Sequence, residues 1–173
     1  MVLISIDTLR PDRLAAYGAT RGLTPRLDAF AREAIIFPRA WSTVPITLPS
    51  HAAMLTGLIP PRAGVRDNAG YRLDESRTTL AERLREAGYV CGAFVGSFVL
   101  DSRSDIDQGF GVYDDRMPPV RPGAPSGASE RRAEEVNRAA LEWLQERAGE
   151  SFFLFVHYYD PHAPYAAPAP FAA

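Results

Sequence analysis

The sequence contains no lysine: all nineteen basic residues among its 173 are arginine. Any chemistry that needs a lysine amine, as nucleophile or as mobile cation on an anionic substrate, is thereby excluded from this chain. Cysteine is nearly as scarce. Cys91 stands alone, so no internal disulfide staples the fold and the redox compartment stays undetermined. Its surroundings, Gly88 to Val95, read as a buried strand, and nothing nearby would lower its pKa, so Cys91 is expected in the core and not as a nucleophile. No apolar stretch approaches the roughly 18 residues that span a bilayer, so no transmembrane segment is expected. Met1 leads straight into an apolar strand instead of a charged and then apolar leader, so no signal peptide is present here and localisation stays open. Charge of one sign is also missing. Nineteen basic against twenty-one acidic residues leave a net charge of −2, without a long run of either, and no nucleic-acid partner is expected.

What is present is enough to bury a core: 46% of the residues are hydrophobic and 23% charged. Val2-Leu3-Ile4-Ser5-Ile6 is a short apolar run closed by Asp7, the pattern of a buried strand with a carboxylate at its carboxyl end. Thr24-Pro25 offers an N-cap and an N1 proline, followed by Leu27, Phe30, Ala31 and Ala34 at helical spacing. Ile35-Ile36-Phe37 reads as a brief strand, and Pro49 to Thr56 as a helix stopped by Gly57. Thr79 with Glu82 three residues on is a capping box for a helix carrying Leu80, Leu84 and Ala87 and ended by Gly88. Tyr89 to Val95 follows as a strand. Residues 117–128, rich in proline and glycine, form an exposed connector within one domain. Ser129 is then expected to cap a long helix with Ala133, Val136, Ala140 and Leu144 on one face, before the continuous apolar strand Phe152 to Val156. Strands alternating with helices predict an α/β fold: a largely parallel central sheet flanked by helices on both faces.

Three segments with chemistry to offer fall at strand ends or helix starts, where sites of α/β proteins collect: Asp7-Thr8, Thr47 to His51, and His157 to His162. Asp7 alone also suits a turn or cap. Thr47 lies just before the helix that Pro49 opens, so the unpaired N–H groups of its first turn would face an anion near the threonine hydroxyl; Thr47 or Ser50 could equally serve as a simple cap. The stretch from His157 through Asp160 to His162 places two histidines and an aspartate just past a buried strand, although this spacing is no metal motif by itself.

In order along nearly the whole chain, these residues resemble the sulfatases of the alkaline-phosphatase superfamily. Val2 to Asp12, Tyr17-Gly18 and Thr24 to Asp28 look like that family's N-terminal metal-binding strand and following helix. Leu48-Pro49-Ser50-His51-Ala52-Ala53-Met54-Leu55-Thr56-Gly57 matches its nucleophile loop and helix. Thr79 to Leu84, Glu86 to Tyr89, Gln108-Gly109-Phe110 and Pro161-His162-Ala163-Pro164-Tyr165 follow in the family's order. The resemblance implies that residues 1–173 form the N-terminal portion of one sulfatase-like catalytic domain, incomplete at its C-terminus. It makes Asp7 a ligand of a divalent cation, calcium foremost with zinc or manganese as alternatives, and places Thr47 at the nucleophile position and His162 on the histidine that contacts sulfate. His157 receives no role from it.

The departures narrow what the resemblance implies. Sulfatases usually carry cysteine or serine where Thr47 stands and oxidise it to formylglycine; threonine cannot become that aldehyde, so no formylglycine is expected. His51 replaces the arginine that supports the modified residue. Thr8 stands where many members have a second aspartate ligand, though its hydroxyl could still reach a metal. At Gly96-Ser97-Phe98-Val99, serine and valine replace a sulfate-binding lysine and histidine. The family's remaining metal ligands lie on a later strand outside this sequence, so Asp7, Thr8 and Thr47 alone would hold a cation weakly. The expected function is metal-dependent hydrolysis of a sulfate or phosphate ester, on a small molecule or a glycan, with Thr47 and His51 in the catalytic machinery and no appreciable activity from the 173 residues alone. Two alternatives stay open: a threonine-nucleophile phosphodiesterase or phosphonate hydrolase, and a catalytically inactive sulfatase-like binding domain.

Overall fold

Alternating apolar strands and amphipathic helices arrange themselves, in the computed structural model, around a four-stranded sheet. The structure describes residues 1–22, 24–119, 129–167 and 169; most of the expected connector at 117–128 lies outside them. The strands are β1 (Val2–Ile6), β2 (Val90–Val95), β3 (Val112–Asp114) and β4 (Phe152–Tyr158). They lie in the order β1-β4-β2-β3, and every pairing is parallel. The helices are α1 (Pro25–Ala31), α2 (Thr47–Thr56), α3 (Pro60–Ala63), α4 (Leu80–Glu86) and α5 (Ala133–Gln145), joined by short 3-10 turns. Contacts divide the chain into two units, one of residues 1–7 with 43–173 and one of residues 8–42.

In the larger unit β4 runs between β1 and β2 and is covered by helices on both faces, which is why its sequence is nearly all apolar. Alternation along the strand sends Phe153 and Phe155 to one side, where they meet Leu48, Ala52 and Leu55 of α2 and Ala81 of α4. Leu154 and Val156 go to the other, against Val136, Ala139, Ala140 and Trp143 of α5. Helices thus cover both faces, as expected. Cys91 sits in the first cluster, and burial pushes its thiol pKa up, in keeping with a core role. The capping box of α4 forms in full: Thr79 accepts from Glu82 N, and Glu82 accepts from Thr79 N at 2.8 Å. Gly57 closes α2 in the left-handed conformation, φ 72°.

Several expectations are corrected. The helix placed at Pro49 begins at Thr47, with Ile46 as its N-cap. Ser129 does not cap α5, which starts at Ala133; the Ala133 N–H is instead met by the Asp160 carboxylate, at 3.0 Å from Oδ2. The smaller unit holds α1, which ends at Ala31, short of the expected Ala34. There Thr24 flanks the helix without a side-chain cap bond, its hydroxyl donating to Asp28 Oδ1 at 3.1 Å instead. Ile35 to Phe37 form no strand; Ile35 and Phe37 are 83% and 66% exposed. Among the described residues no helix is long and apolar enough to cross a membrane.

Candidate active site

β1 and β4 run side by side with Ser5 opposite His157 and Ile6 opposite Tyr158, so their carboxyl ends open at one point of the sheet. Asp7 extends β1 by one rung, its N–H donating to the Tyr158 carbonyl at 2.9 Å. Its side chain is 9% exposed and lies 3.4 Å, Oδ2 to Nε2, from the His157 ring. Burial alone would raise the Asp7 pKa. The hydrogen bond and charge of His157, a hydrogen bond with the Thr47 side chain and the charge of His51 outweigh it, and the net shift is downward. Asp7 is therefore a carboxylate at neutral pH.

Thr47 reaches Asp7 because α2 starts at this residue and not two residues later. Leu48 N–H, one of the unpaired donors of the first turn, is met by Asn68 Oδ1 at 2.9 Å. One turn on, His51 folds back on the helix start. Its Nδ1 lies 2.7 Å from the Thr47 carbonyl, an acceptor only, so Nδ1 carries a proton. Its Nε2 is 2.8 Å from Ser5 Oγ, and the neutral ring accepts there from the serine hydroxyl. Burial first, then the charge of His157, brings the His51 pKa down to about 4, against the opposing effects of the Thr47 carbonyl and Asp7. The His51 and His157 rings meet edge to face at 4.9 Å. His157 has no solvent exposure, and among the described residues its Nδ1 has no hydrogen-bond partner.

From this cluster an aromatic path runs to the loop beyond β4. The Tyr159 ring lies 6.0 Å from His157 and stacks on His162 at 4.2 Å. Nδ1 of His162 donates to the Ala163 carbonyl at 2.6 Å, which leaves Nε2 as the ring atom able to face a ligand. Ser97 is fully buried, its Oγ accepting from the Val99 N–H at 3.3 Å.

A family model described as Sulfatase matches residues 1–173. The chain belongs to the sulfatase family. Its sequence is 35% identical over 92 residues to a delta 4,5-hexuronate-2-O-sulfatase of Bacteroides thetaiotaomicron, covering 51% of this chain and 19% of that protein. It is 35% identical over 115 residues to human N-acetylgalactosamine-6-sulfatase, covering 60% and 22%. A solved structure of a putative sulfatase from Bacteroides thetaiotaomicron superposes with a TM-score of 0.74 at 27% identity, over 94% of this chain and 35% of that one. The chain thus spans about a fifth of the length of these two relatives, and its parallel sheet with flanking helices is the N-terminal part of the sulfatase fold.

Within this sulfatase-family frame, the structure gathers Asp7, Thr47 and His51 in one place. His162 joins them through Tyr159, and Thr8 opens the smaller unit with a left-handed backbone, φ 55°. Four residues of the cluster went unassigned in the sequence: Ser5, Asn68, His157 and Tyr159. The family implies a divalent cation, and the donors here suit one in kind. An ionised carboxylate and a hydroxyl hydrogen-bonded to it are the hard oxygen ligands that calcium takes. In number they are a partial set, since among the described residues no three His, Cys, Asp or Glu side chains gather to hold an ion.

Proposed function

We propose that this chain carries the nucleophile and the first cation ligand of a hydrolase that cleaves sulfate esters of sugars. The observation that carries the reading is the gathering of Asp7, at the end of β1, with Thr47 and His51 of α2, His51 being bonded both to the Thr47 carbonyl and to Ser5 of β1. Asp7 and Thr47 would hold the cation, which when bound lowers the hydroxyl pKa and offsets charge on the nonbridging oxygens. Thr47 Oγ gives up its proton and attacks sulfur, the bond from sulfur to the sugar oxygen breaks with that oxygen leaving as the protonated alcohol, and water later releases sulfate from Thr47. No formylglycine takes part, because a threonine side chain does not yield that aldehyde. His162 binds the sulfate group through Nε2. His51, neutral and buried, anchors the start of α2 to Ser5 of β1 and holds Thr47 beside Asp7. The sugar sulfate is inferred from the names of the relatives, which refer to a hexuronate and to N-acetylgalactosamine.

The test is turnover of sugar and aryl sulfates by the complete protein, alongside phosphodiester and phosphonate substrates. Sulfate esters are expected to react, with a loss of about a thousandfold or more in Thr47→Ala and a comparable loss in Asp7→Asn. Unchanged rates in both variants would remove the site. Faster phosphodiester or phosphonate cleavage would move the chemistry to phosphorus with the same nucleophile. The neutral state of His51 favours a second reading, since its ring lends no positive charge to the nucleophile position. In that reading the domain binds sulfated sugars without hydrolysing them, and it prevails if binding is measured with no turnover. The 173-residue chain alone, with its partial donor set, is expected to bind cations weakly and to hydrolyse none of these substrates.

A further inference from the structure

We propose that His157 is a positioning residue that fixes the Asp7 carboxylate for cation binding. The inference rests on the reading of Asp7 as a cation ligand and extends it to a residue with no contact to solvent. His157 occupies a place where an apolar side chain would be the ordinary choice. It lies on the same face of β4 as Phe153 and Phe155, pairs in register with Ser5 on one side and Val95 on the other, and is 0% exposed. A polar ring in such a position loses its hydration, and that loss has to be offset by a partner. The partner is Asp7, whose Oδ2 is 3.4 Å from Nε2.

The other ring nitrogen shows what the ring is held for. Nδ1 is buried and has no hydrogen-bond partner among the described residues. Nε2 faces a carboxylate oxygen, an acceptor only, so Nε2 carries a proton and donates to Asp7. Both partners are also held by the backbone: Asp7 N–H is bonded to the Tyr158 carbonyl, one residue beyond His157. On its free side the ring meets His51 edge to face, and His51 is tied at both nitrogens. His157 is thereby clamped between β1 and α2, with one function exposed to a neighbour: a donor aimed at one carboxylate oxygen. A carboxylate held in this way has its plane set before an ion arrives, and a second oxygen remains for the ion. Partners of metal ligands act in this manner, and their loss costs about 10–100-fold in metal affinity.

The experiment is calorimetric titration of the chelator-stripped complete protein with calcium, manganese and zinc chlorides in turn, which reads affinity without turnover. His157→Phe keeps the ring volume and removes the donor; His157→Gln keeps an amide N–H in the region of Nε2. Cation binding is expected to weaken about 10–100-fold in the Phe variant and to stay within about threefold of wild type in the Gln variant. Thermal melts confirm folding, with His157→Leu in place of the Phe variant if the latter does not fold. Wild-type affinity in the donor-less variant, or an equal loss in His157→Gln, overturns the inference. Asp7→Asn in the same titration separates the two readings. Binding lost there but intact in His157→Phe overturns the positioning role alone. Binding unchanged in Asp7→Asn, or absent from the wild type with every ion, overturns both.

Discussion

At neutral pH the His51 ring carries no charge, and that state is bound up with folding. In the unfolded chain an imidazole titrates near 6.5; in the fold, burial and the charge of His157 hold it at about 4. Between those values the unfolded chain binds more protons than the folded one, so stability rises with pH. The contribution is complete above about pH 6.5 and falls away as pH drops toward 4, reaching a loss of about 2 kcal/mol at pH 5. Urea unfolding at pH 7.5 and pH 5 should show a larger drop in wild type than in His51→Gln, by about that amount. Equal pH dependence in the two would mean that His51 is not neutral and buried as described. Asp7, Thr47 and His51 were legible in the sequence because they sit in short patterns with neighbours that match. His157 fell in a segment singled out for its chemistry, but its role was not legible, because one histidine at the end of an apolar strand has no local signature. Its meaning lies in register with Ser5 and contact with Asp7, 150 residues away.

Between elements, β2 and α5 approach each other closely in the core, and glycine permits it. A Cβ on Gly92 would stand 2.7 Å from the Trp143 ring, whereas one on Gly111 would meet only the Cys91 carbonyl at 3.6 Å. Trp143 is 5% exposed and packed against Phe94 and Phe152, so it has little room to retreat. Gly92→Ala is therefore expected to destabilise the fold by about 1–3 kcal/mol, with Gly111→Ala as the milder control. Chemical denaturation of both variants checks this, and equal effects would count against the packing account. Elements whose signals are local were readable: the apolar runs of β1 and β4 and the capping box of α4. The errors came where a distant residue supplies the partner. Asp160 meets the Ala133 N–H at the start of α5, and Asn68 meets Leu48 in the first turn of α2, so Ser129 and Pro49 misplaced both starts. Ile35 to Phe37 had the composition of a strand, but strand formation needs a neighbouring edge, which a window of three residues cannot report.

For the whole molecule, the sheet order β1-β4-β2-β3 leaves β1 at an edge. The odd residues of β1 face the core cluster, while Val2 and Ile4 on the other face are 51% and 56% exposed. An apolar edge strand with open N–H and C=O groups is a template for pairing with another chain. The 173-residue chain by itself is expected to self-associate with rising concentration, and Ile4→Lys to shift it toward monomer, as light scattering after gel filtration would show. A wild-type chain that stays monomeric throughout would refute this. The α/β class was legible from the alternation of elements. The order of the strands was not, because it is decided by which strands can share a core.

The same order has a consequence in time. Among the described residues β4 is the sheet partner of β1, yet one lies near the start of the chain and the other near its end. Asp7 and His157 are separated by 150 residues, which a ribosome working at about 5–20 residues per second takes about 8–30 s to add. During that interval the five residues Val2–Ile6, none of them charged, have left the place of synthesis before their match exists. In the chain as it is made, β1 therefore waits without its sheet partner until Phe152–Tyr158 emerges.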